Sequence, residues 1–191
     1  MADATKEGKN MIFYVLGAVV LIILFIWSLY NSLITMSTQI DEAWSQIDVQ
    51  LKRRVDLIPN IVASVKGYAK HEKSVFENVT KARSAMMKAE TPQAMAKASD
   101  GLSSALKSLF AVAENYPQLK ANENFVQLQN QLSDTEDKIA YSRQFYNSTV
   151  TDFNVKVRVF PNTILAGMLG FKEKPFFKTE GADREAVKVQ F

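Results

Sequence analysis

Only one histidine is available for acid–base or metal chemistry in this chain of 191 residues. It is His71, and Glu72 follows it, as in the first two residues of a zinc-protease helix. That motif needs a second histidine four residues after the first, on the same helical face, but position 75 is a valine. The chain also has no cysteine, which excludes disulfides and thiolate metal ligands. We therefore expect His71 to be a surface residue without zinc chemistry.

Carboxylates are the other groups that suit a metal, and four of them lie within a short stretch: Asp41, Glu42, Asp48 and Asp56. Di-iron helical bundles combine glutamates with two Glu-x-x-His motifs, which a single histidine cannot supply. The spacing of the four fits a solvated or salt-bridging helix face better. The sequence also has no Gly-rich phosphate loop and no serine with a recognisable base. It predicts no catalytic residue, no metal and no cofactor; a cryptic metal-dependent enzyme is the least favoured alternative.

A basic and polar run is the best candidate for an interaction surface. It consists of Lys52, Arg53, Arg54, Asp56, Pro59 and Asn60. The basic residues either form ion pairs with Asp48, Asp56 or another helix, or they face a partner. Pro59 frees a backbone carbonyl that Asn60 could satisfy, so this segment is either a structural corner or a binding surface. The net charge of +3 is spread along the chain and gives no support to nucleic-acid binding.

A long apolar segment precedes these residues. No charged residue or histidine occurs from Asn10 to Ile40, and Met11–Leu29 is almost entirely apolar. At about 1.5 Å per residue this segment spans roughly 28 Å, close to the ~30 Å hydrocarbon core of a bilayer. It is longer than the apolar region of a signal peptide and no Ala-x-Ala site follows it. We predict an uncleaved transmembrane anchor over residues 11–30 that contacts the lipid bilayer.

The charges around this segment predict its orientation. Lys6 and Lys9 precede it, whereas the first basic residue after it is Lys52. Basic residues near a span favour the cytoplasmic side. The N-terminus is therefore expected in the cytoplasm, and the rest of the chain in the periplasm or outside the cell.

The remaining chain has the apolar periods of long helices. Apolar residues recur every three or four positions from Ile40 to Val79, with a kink or break expected at Pro59. Thr91-Pro92 is typical of a helix start, and that helix is expected to run to Glu114. A third helix has a large apolar residue every seven positions, at Phe125, Leu132, Ile139, Tyr146, Phe153 and Phe160. Its companion column is mostly small and polar, which favours a helix in a bundle over a coiled-coil dimer.

Three blocks of the sequence resemble the LemA family. The first block is Glu42–Asn60, which continues through Val65–Glu72. The second is Tyr116–Phe125 with residues 127–129, Glu136, Arg143, Tyr146-Asn147 and Asn154. The third is Phe160–Ala166 with Gly170-Phe171. The resemblance implies a bacterial inner- or cell-membrane protein with one N-terminal span and an antiparallel, up-and-down helical bundle. It implies no enzymatic activity. Members are often encoded near membrane peptidases or TPM-domain proteins, which links them to the envelope only by association.

These observations predict an all-α protein with an N-terminal transmembrane helix followed by an antiparallel up-and-down bundle of long helices. The expected divisions are a short tail (1–10), the anchor (11–30), a LemA-like bundle (31–171) and a C-terminal tail (172–191) that docks on the bundle or is partly disordered. We expect a non-enzymatic scaffold or adaptor of the bacterial envelope that binds an unknown membrane protein, or a homo-oligomer formed through Gly167–Phe171 and the Phe-rich tail. The alternative is a regulator or sensor of a neighbouring membrane protease or transporter.

Overall fold

A computed structural model describes residues 2–178 of the chain, with side chains from Met11 onward. Over this range the chain is all-α, as predicted, and contains no strand. Its helices are α1 (Ala2–Tyr68), α2 (Lys73–Lys88), α3 (Pro92–Ala113), α4 (Pro117–Lys120), α5 (Glu123–Arg158) and α6 (Asn162–Met168). The part of the predicted C-terminal tail beyond Lys178 lies outside the described residues.

Helix α1 is 67 residues long and includes Pro59 in its interior. Of the kink or break expected at Pro59, the break is wrong, because the chain first leaves the helix at Ala69–Glu72. A proline lacks the N–H that would bond the carbonyl four residues earlier, which belongs to Val55. That carbonyl accepts a hydrogen bond of 3.2 Å from Arg83 Nε of α2 instead. The helix therefore continues through Pro59 because a neighbouring helix supplies the missing donor.

The described residues group into two compact units. The first unit contains the chain up to Asp41 together with Thr149–Lys174, and the bundle unit contains Glu42–Ser148 together with the residues from Pro175 onward. Each unit therefore contains parts of both long helices, α1 and α5.

In the bundle unit, α1 and α5 are antiparallel. The ring centroids of Trp44 and Tyr146 are 5.6 Å apart, and Arg54 contacts Glu136 at 3.0 Å. From the first contact to the second, the residue number rises along α1 and falls along α5. Helices α2 and α3 form a hairpin, and Phe110 of α3 packs on Phe125 of α5 at 6.3 Å. The core of this unit is apolar and includes Ile47, Leu51, Ile58, Ile61, Val65, Leu102, Leu109, Leu119 and Phe125. This is the up-and-down bundle that the sequence predicts.

The helix start predicted at Thr91 is present in the bundle unit, and α5 begins with a similar cap. Thr91 Oγ1 accepts a hydrogen bond from Ala94 N at 3.2 Å, and Asn122 Oδ1 accepts one from Phe125 N at 3.1 Å. Each bond satisfies a backbone donor that the first turn of a helix leaves free. The caps fix where α3 and α5 begin.

The heptad column of α5 is buried from Phe125 to Phe153, as a core column requires. The polar companion column is also buried at Thr135 and Ser142, whose small side chains fill little space in the core. Phe160 breaks the column: α5 ends at Arg158, and Phe160 is 79% exposed.

In the first unit, the C-terminal part of α5 and α6 pack near α1. The ring of Phe171 lies 6.0 Å from that of Tyr30 and 6.4 Å from that of Phe153. Gly170 lies two residues after the end of α6, and its φ of 82° is costly for residues with a Cβ. Phe171 N donates to Ala166 O at 2.9 Å and Gly170 N to Gly167 O at 3.2 Å, the pair of bonds that closes a Schellman motif. This turn directs Phe171 back towards α1.

Candidate functional site

The apolar segment of α1 is exposed on every face. Large side chains such as Phe13, Tyr14 and Trp27 are 71%, 78% and 65% exposed. A helix that packs on protein from one side would bury a stripe, whereas this one buries none between Met11 and Phe25. Within the described residues, α1 alone is long and apolar enough to cross a membrane. The exposed apolar surface is what a lipid-facing segment requires.

The six predicted interaction residues do not share one surface. Lys52, Arg53, Asp56, Pro59 and Asn60 are exposed, but Arg54 is only 3% exposed. The reason is the helical period: Arg54 lies three residues after Leu51 and four before Ile58, both of which are in the core. Arg54 therefore belongs to the buried stripe of α1.

Arg54 is held by polar partners from two other helices of the bundle unit. Its Nη1 donates to Ser99 Oγ at 3.2 Å, and its Nη2 donates to Ser103 Oγ at 2.8 Å and contacts Glu136 Oε2 at 3.0 Å. Burial lowers the pKa of Arg54, while the negative charges of Glu136 and Asp100 raise it in opposition. An arginine stays protonated at neutral pH under these influences.

Because carboxylates balance the guanidinium charge, this cluster resembles a polar crosslink more than an anion site. Arg54, Ser103 and Glu136 of this cluster also line a cavity of about 330 Å³, together with the apolar residues Leu106, Phe110 and Leu132. The cluster joins α1, α3 and α5 at one level. Its chemistry favours a role in fixing the register of the bundle.

A second concavity in the bundle unit combines charged and methionine side chains. It has a volume of about 240 Å³, and its lining includes Asp48, Lys52, Asp56, Met86, Met87 and Met95. We call this set the methionine concavity. Met87 is 64% exposed, and methionine adapts its shape to irregular partners. Lys52 and Asp56 are thus next to an apolar contact site, whereas Arg53, Pro59 and Asn60 do not line it.

The methionines were missed in the sequence because they lie on α2 and α3, far from Lys52 along the chain. The adjacent pair Met86-Met87 at the end of α2 was a usable signal, since only one of two neighbours on a helix can face the core.

His71 is exposed in the turn between α1 and α2. Among the residues whose side chains are described, no group of three or more His, Asp or Glu is close enough to hold a metal ion. Asp41, Glu42, Asp48 and Asp56 are all exposed.

Two asparagines of α5 bind the extended segment after α6. In the first unit, Asn154 accepts from Lys174 N at 2.8 Å and donates to Lys174 O at 3.0 Å. In the bundle unit, Asn147 makes the same pair of bonds with Phe177, at 2.9 and 3.0 Å. Phe177 is buried next to Trp44, with ring centroids 6.1 Å apart. The Phe177 side chain is therefore buried by contacts within the chain.

An ion pair adds to this arrangement in the first unit. Arg158 Nε donates to Glu173 Oε1 at 2.6 Å, and Arg158 Nη2 contacts the second carboxylate oxygen. The hydrogen bond from Arg158 lowers the pKa of Glu173. Both side chains are largely solvent-accessible, so the pair contributes more to geometry than to stability.

Sequence comparison shows which known proteins this chain is similar to. The chain is 26% identical to magnetosome proteins MamQ 1 and MamQ 2 of Paramagnetospirillum magneticum, over 80% of this chain and 66% of each relative. It is 27% identical to Protein LemA of Metamycoplasma hominis, over 82% of this chain and 72% of the relative. The chain thus spans slightly less than two thirds of the magnetosome proteins' length.

A family model adds the decisive match. The model of the LemA family covers residues 43–191, which include the bundle helices and the segment bound by Asn147 and Asn154. The apolar segment precedes the matched region and, with the family match, indicates a membrane-associated protein. This chain belongs to the LemA family.

Proposed function

We propose that this protein is a non-enzymatic, single-pass membrane protein that acts as a scaffold or adaptor in the bacterial envelope. The observation that carries the proposal is the exposure of apolar side chains on every face of α1 from Met11 to Phe25. Water does not tolerate so much apolar surface, and a bilayer covers it. The apolar segment then spans the membrane once and keeps the rest of the chain beside it.

The proposed orientation places the N-terminus in the cytoplasm and the bundle outside it. It is supported by Lys6 and Lys9 before the segment and by the absence of lysine and arginine from residue 10 to 51. The distribution of basic residues is the observation on which this orientation is proposed.

The methionine concavity is the proposed adaptor surface. It combines exposed apolar area at Met87 with the opposite charges of Lys52 and Asp56 at its edge. Such a site suits an apolar side chain of a protein partner, flanked by charged groups that select the register. The partner is either a second copy of this chain or another membrane protein.

Site-specific photocrosslinking in intact cells tests this proposal. A photoreactive residue replaces Met87 in the full chain, and the matched control replaces Asn130, an exposed residue of α5 that does not line the concavity. We expect one discrete adduct from position 87, none from position 130, and loss of the adduct in Lys52→Glu/Asp56→Lys. An adduct of twice the chain's 21.5 kDa identifies self-assembly, and another mass identifies a different partner.

Two results would overturn the adaptor proposal. One is the absence of any discrete adduct at position 87, and the other is equal adducts at positions 87 and 130. A protease or transporter in the adduct would favour the alternative, a regulator or sensor of that protein.

A further inference from the structure

The segment from Val159 to Phe171 carries no charged residue and no histidine. It consists of the turn after α5, helix α6 and the Schellman turn. Arg158 and Lys172 flank it directly. A stretch of this composition, bounded by basic residues, is unusual on a surface that faces only water.

One side of this segment exposes large apolar side chains. Phe160, Ile164 and Met168 are 79%, 57% and 80% exposed. They are spaced by four residues, and in α6 that spacing places Ile164 and Met168 on one face. Ala166, by contrast, is fully buried. The packing of the first unit thus uses one face of α6, and among the residues whose side chains are described none buries the opposite, apolar face.

The last residue of this segment and the part of α5 just before it both contact α1 at one level. The ring of Phe171 lies 6.0 Å from that of Tyr30, and Lys156 Nζ donates a hydrogen bond to Ser32 Oγ. Tyr30 directly follows the apolar segment Met11–Leu29. If that segment crosses the bilayer, Tyr30 and Ser32 lie at the boundary between the hydrocarbon and the headgroups. The exposed side of α6 is then held at the same boundary.

The charges around this level fit lipid headgroups. Lys156, Arg158, Lys172 and Lys174 are basic, and Glu173 is the acidic residue among them. Basic side chains that flank an inserted apolar face contact lipid phosphates in interfacial helices. A second copy of the same basic surface would be repelled at this level, which favours lipid over self-association here.

We propose that α6 and the turn before it form a second membrane contact, in which Phe160, Ile164 and Met168 insert into the headgroup–acyl boundary next to the span. This inference rests on the proposed function, because it needs the apolar segment of α1 in the bilayer. It gives the first unit two contacts with the membrane, one across it and one along its surface. Two contacts restrict the tilt and rotation of the span, which a single helix leaves free.

Fluorescence quenching in the full-length protein tests the proposal. The chain has no cysteine, so each single-cysteine variant carries an environment-sensitive label at one site only. The test positions are Met168→Cys and Ile164→Cys. Leu21→Cys reports the middle of the apolar segment, and Gln39→Cys is an exposed control on α1 in the same unit. The proteins are reconstituted in phosphatidylcholine–phosphatidylglycerol vesicles and quenched with iodide or with lipids spin-labelled at shallow or deep positions.

We expect positions 168 and 164 to be quenched most by shallow spin labels and about fivefold less by iodide than position 39. Position 21 is expected to respond most to the deep label. Iodide quenching at 168 equal to that at 39, with position 21 still protected, would overturn the second contact and leave the span intact. Protection of 168 from both iodide and lipid labels would also overturn it, because protein would then cover this face. Exposure of position 21 to iodide would overturn the span and the inference together.

Discussion

At the scale of single residues, Arg54 combines a buried position on its helix with a charged side chain. Its position on the core stripe of α1 requires an apolar residue, yet it carries a charge that water would solvate better. The structure resolves the conflict with Ser99, Ser103 and Glu136 as partners. A buried charge with such partners is tolerated, and removal of the buried member is costly.

We predict that Arg54→Ala lowers the free energy of unfolding by about 3–5 kcal/mol, because it removes the cation and leaves a cavity. Arg54→Met should cost less, since it restores most of the volume. Urea unfolding of the full chain in detergent micelles, followed by circular dichroism, measures the difference.

Glu136→Gln is the matched control for this cluster. The Glu136 side chain is 51% exposed, so its neutralisation should cost only about 1 kcal/mol. Equal losses for Arg54→Ala and Glu136→Gln would contradict the assignment of Arg54 as the buried member on which the cluster depends.

The residues of the candidate surface were only partly predictable. Lys52 and Asp56 were identified because charged residues stand out along the sequence. The methionines were not, because the contact of α1 with Met86, Met87 and Met95 depends on how α2 turns back after Tyr68. For Arg54 the sequence left two interpretations open, an ion pair with another helix or a surface that faces a partner, and in the structure Arg54 pairs with Glu136 of α5.

At the scale of helices, Pro59 is the most informative position. Proline in a helix interior costs about 3 kcal/mol, partly through the carbonyl that it leaves without a donor. In α1 the Val55 carbonyl accepts from Arg83, so α2 compensates for a defect in α1. This explains why the residue that predicted a break lies in an unbroken helix.

A double-mutant cycle tests that compensation. We predict that Arg83→Met costs about 1–2 kcal/mol in the natural sequence, because it leaves the Val55 carbonyl without this donor. In a Pro59→Ala background the alanine N–H can bond that carbonyl, so the same substitution should cost clearly less. The free energies come from urea unfolding of all four proteins. An equal cost in both backgrounds would show that Arg83 does not serve the proline gap.

The segment bound by Asn154 gives a second prediction at this scale. Asn154→Ala removes two hydrogen bonds to the backbone of Lys174, which should increase local opening of the segment about tenfold. Trypsin cleavage after Lys172, followed by mass spectrometry, measures this opening. Asn124→Ala, at an exposed asparagine near the start of α5, should leave the rate unchanged. Similar rates in the two variants would show that Asn154 does not hold the segment.

Helix starts were easier to predict than the breaks between helices. Thr91 and Asn122 cap α3 and α5 through bonds within a few residues, so the local sequence determines them. The break at Ala69–Glu72 has no proline, and Gly67 is a weak signal. It forms because Phe76 and Val79 of α2 pack in the core, which is a tertiary effect that a periodic pattern cannot report.

At the scale of the whole molecule, the long apolar segment and the all-α class could be predicted from the order and spacing of the apolar residues. The second membrane contact was not, because Phe160 continues a heptad column whose other large members are core residues. The end of α5 at Arg158 removes Phe160 from that column. Whether an apolar residue faces protein or lipid therefore depends on where a helix ends, and the seven-residue spacing alone does not contain that information.

The proposed orientation of the molecule rests on two lysines, so we expect a small change in charge to reverse it. We predict that Lys6→Gln/Lys9→Gln with Asn31→Lys/Thr35→Lys moves the bundle to the cytoplasmic side in a large fraction of molecules, because the basic residues then follow the span. Asn31 and Thr35 are exposed, so the new lysines need not disturb packing. Gln39→Cys, labelled in intact cells with a membrane-impermeant maleimide, reports the side on which the chain emerges. Labelling should be high with the natural charges and low with the exchanged ones.

The Lys6→Gln/Lys9→Gln pair alone is the control and should give an intermediate value. Equal labelling in all three would mean that features other than these charges set the orientation, and low labelling with the natural charges would reverse the proposed topology.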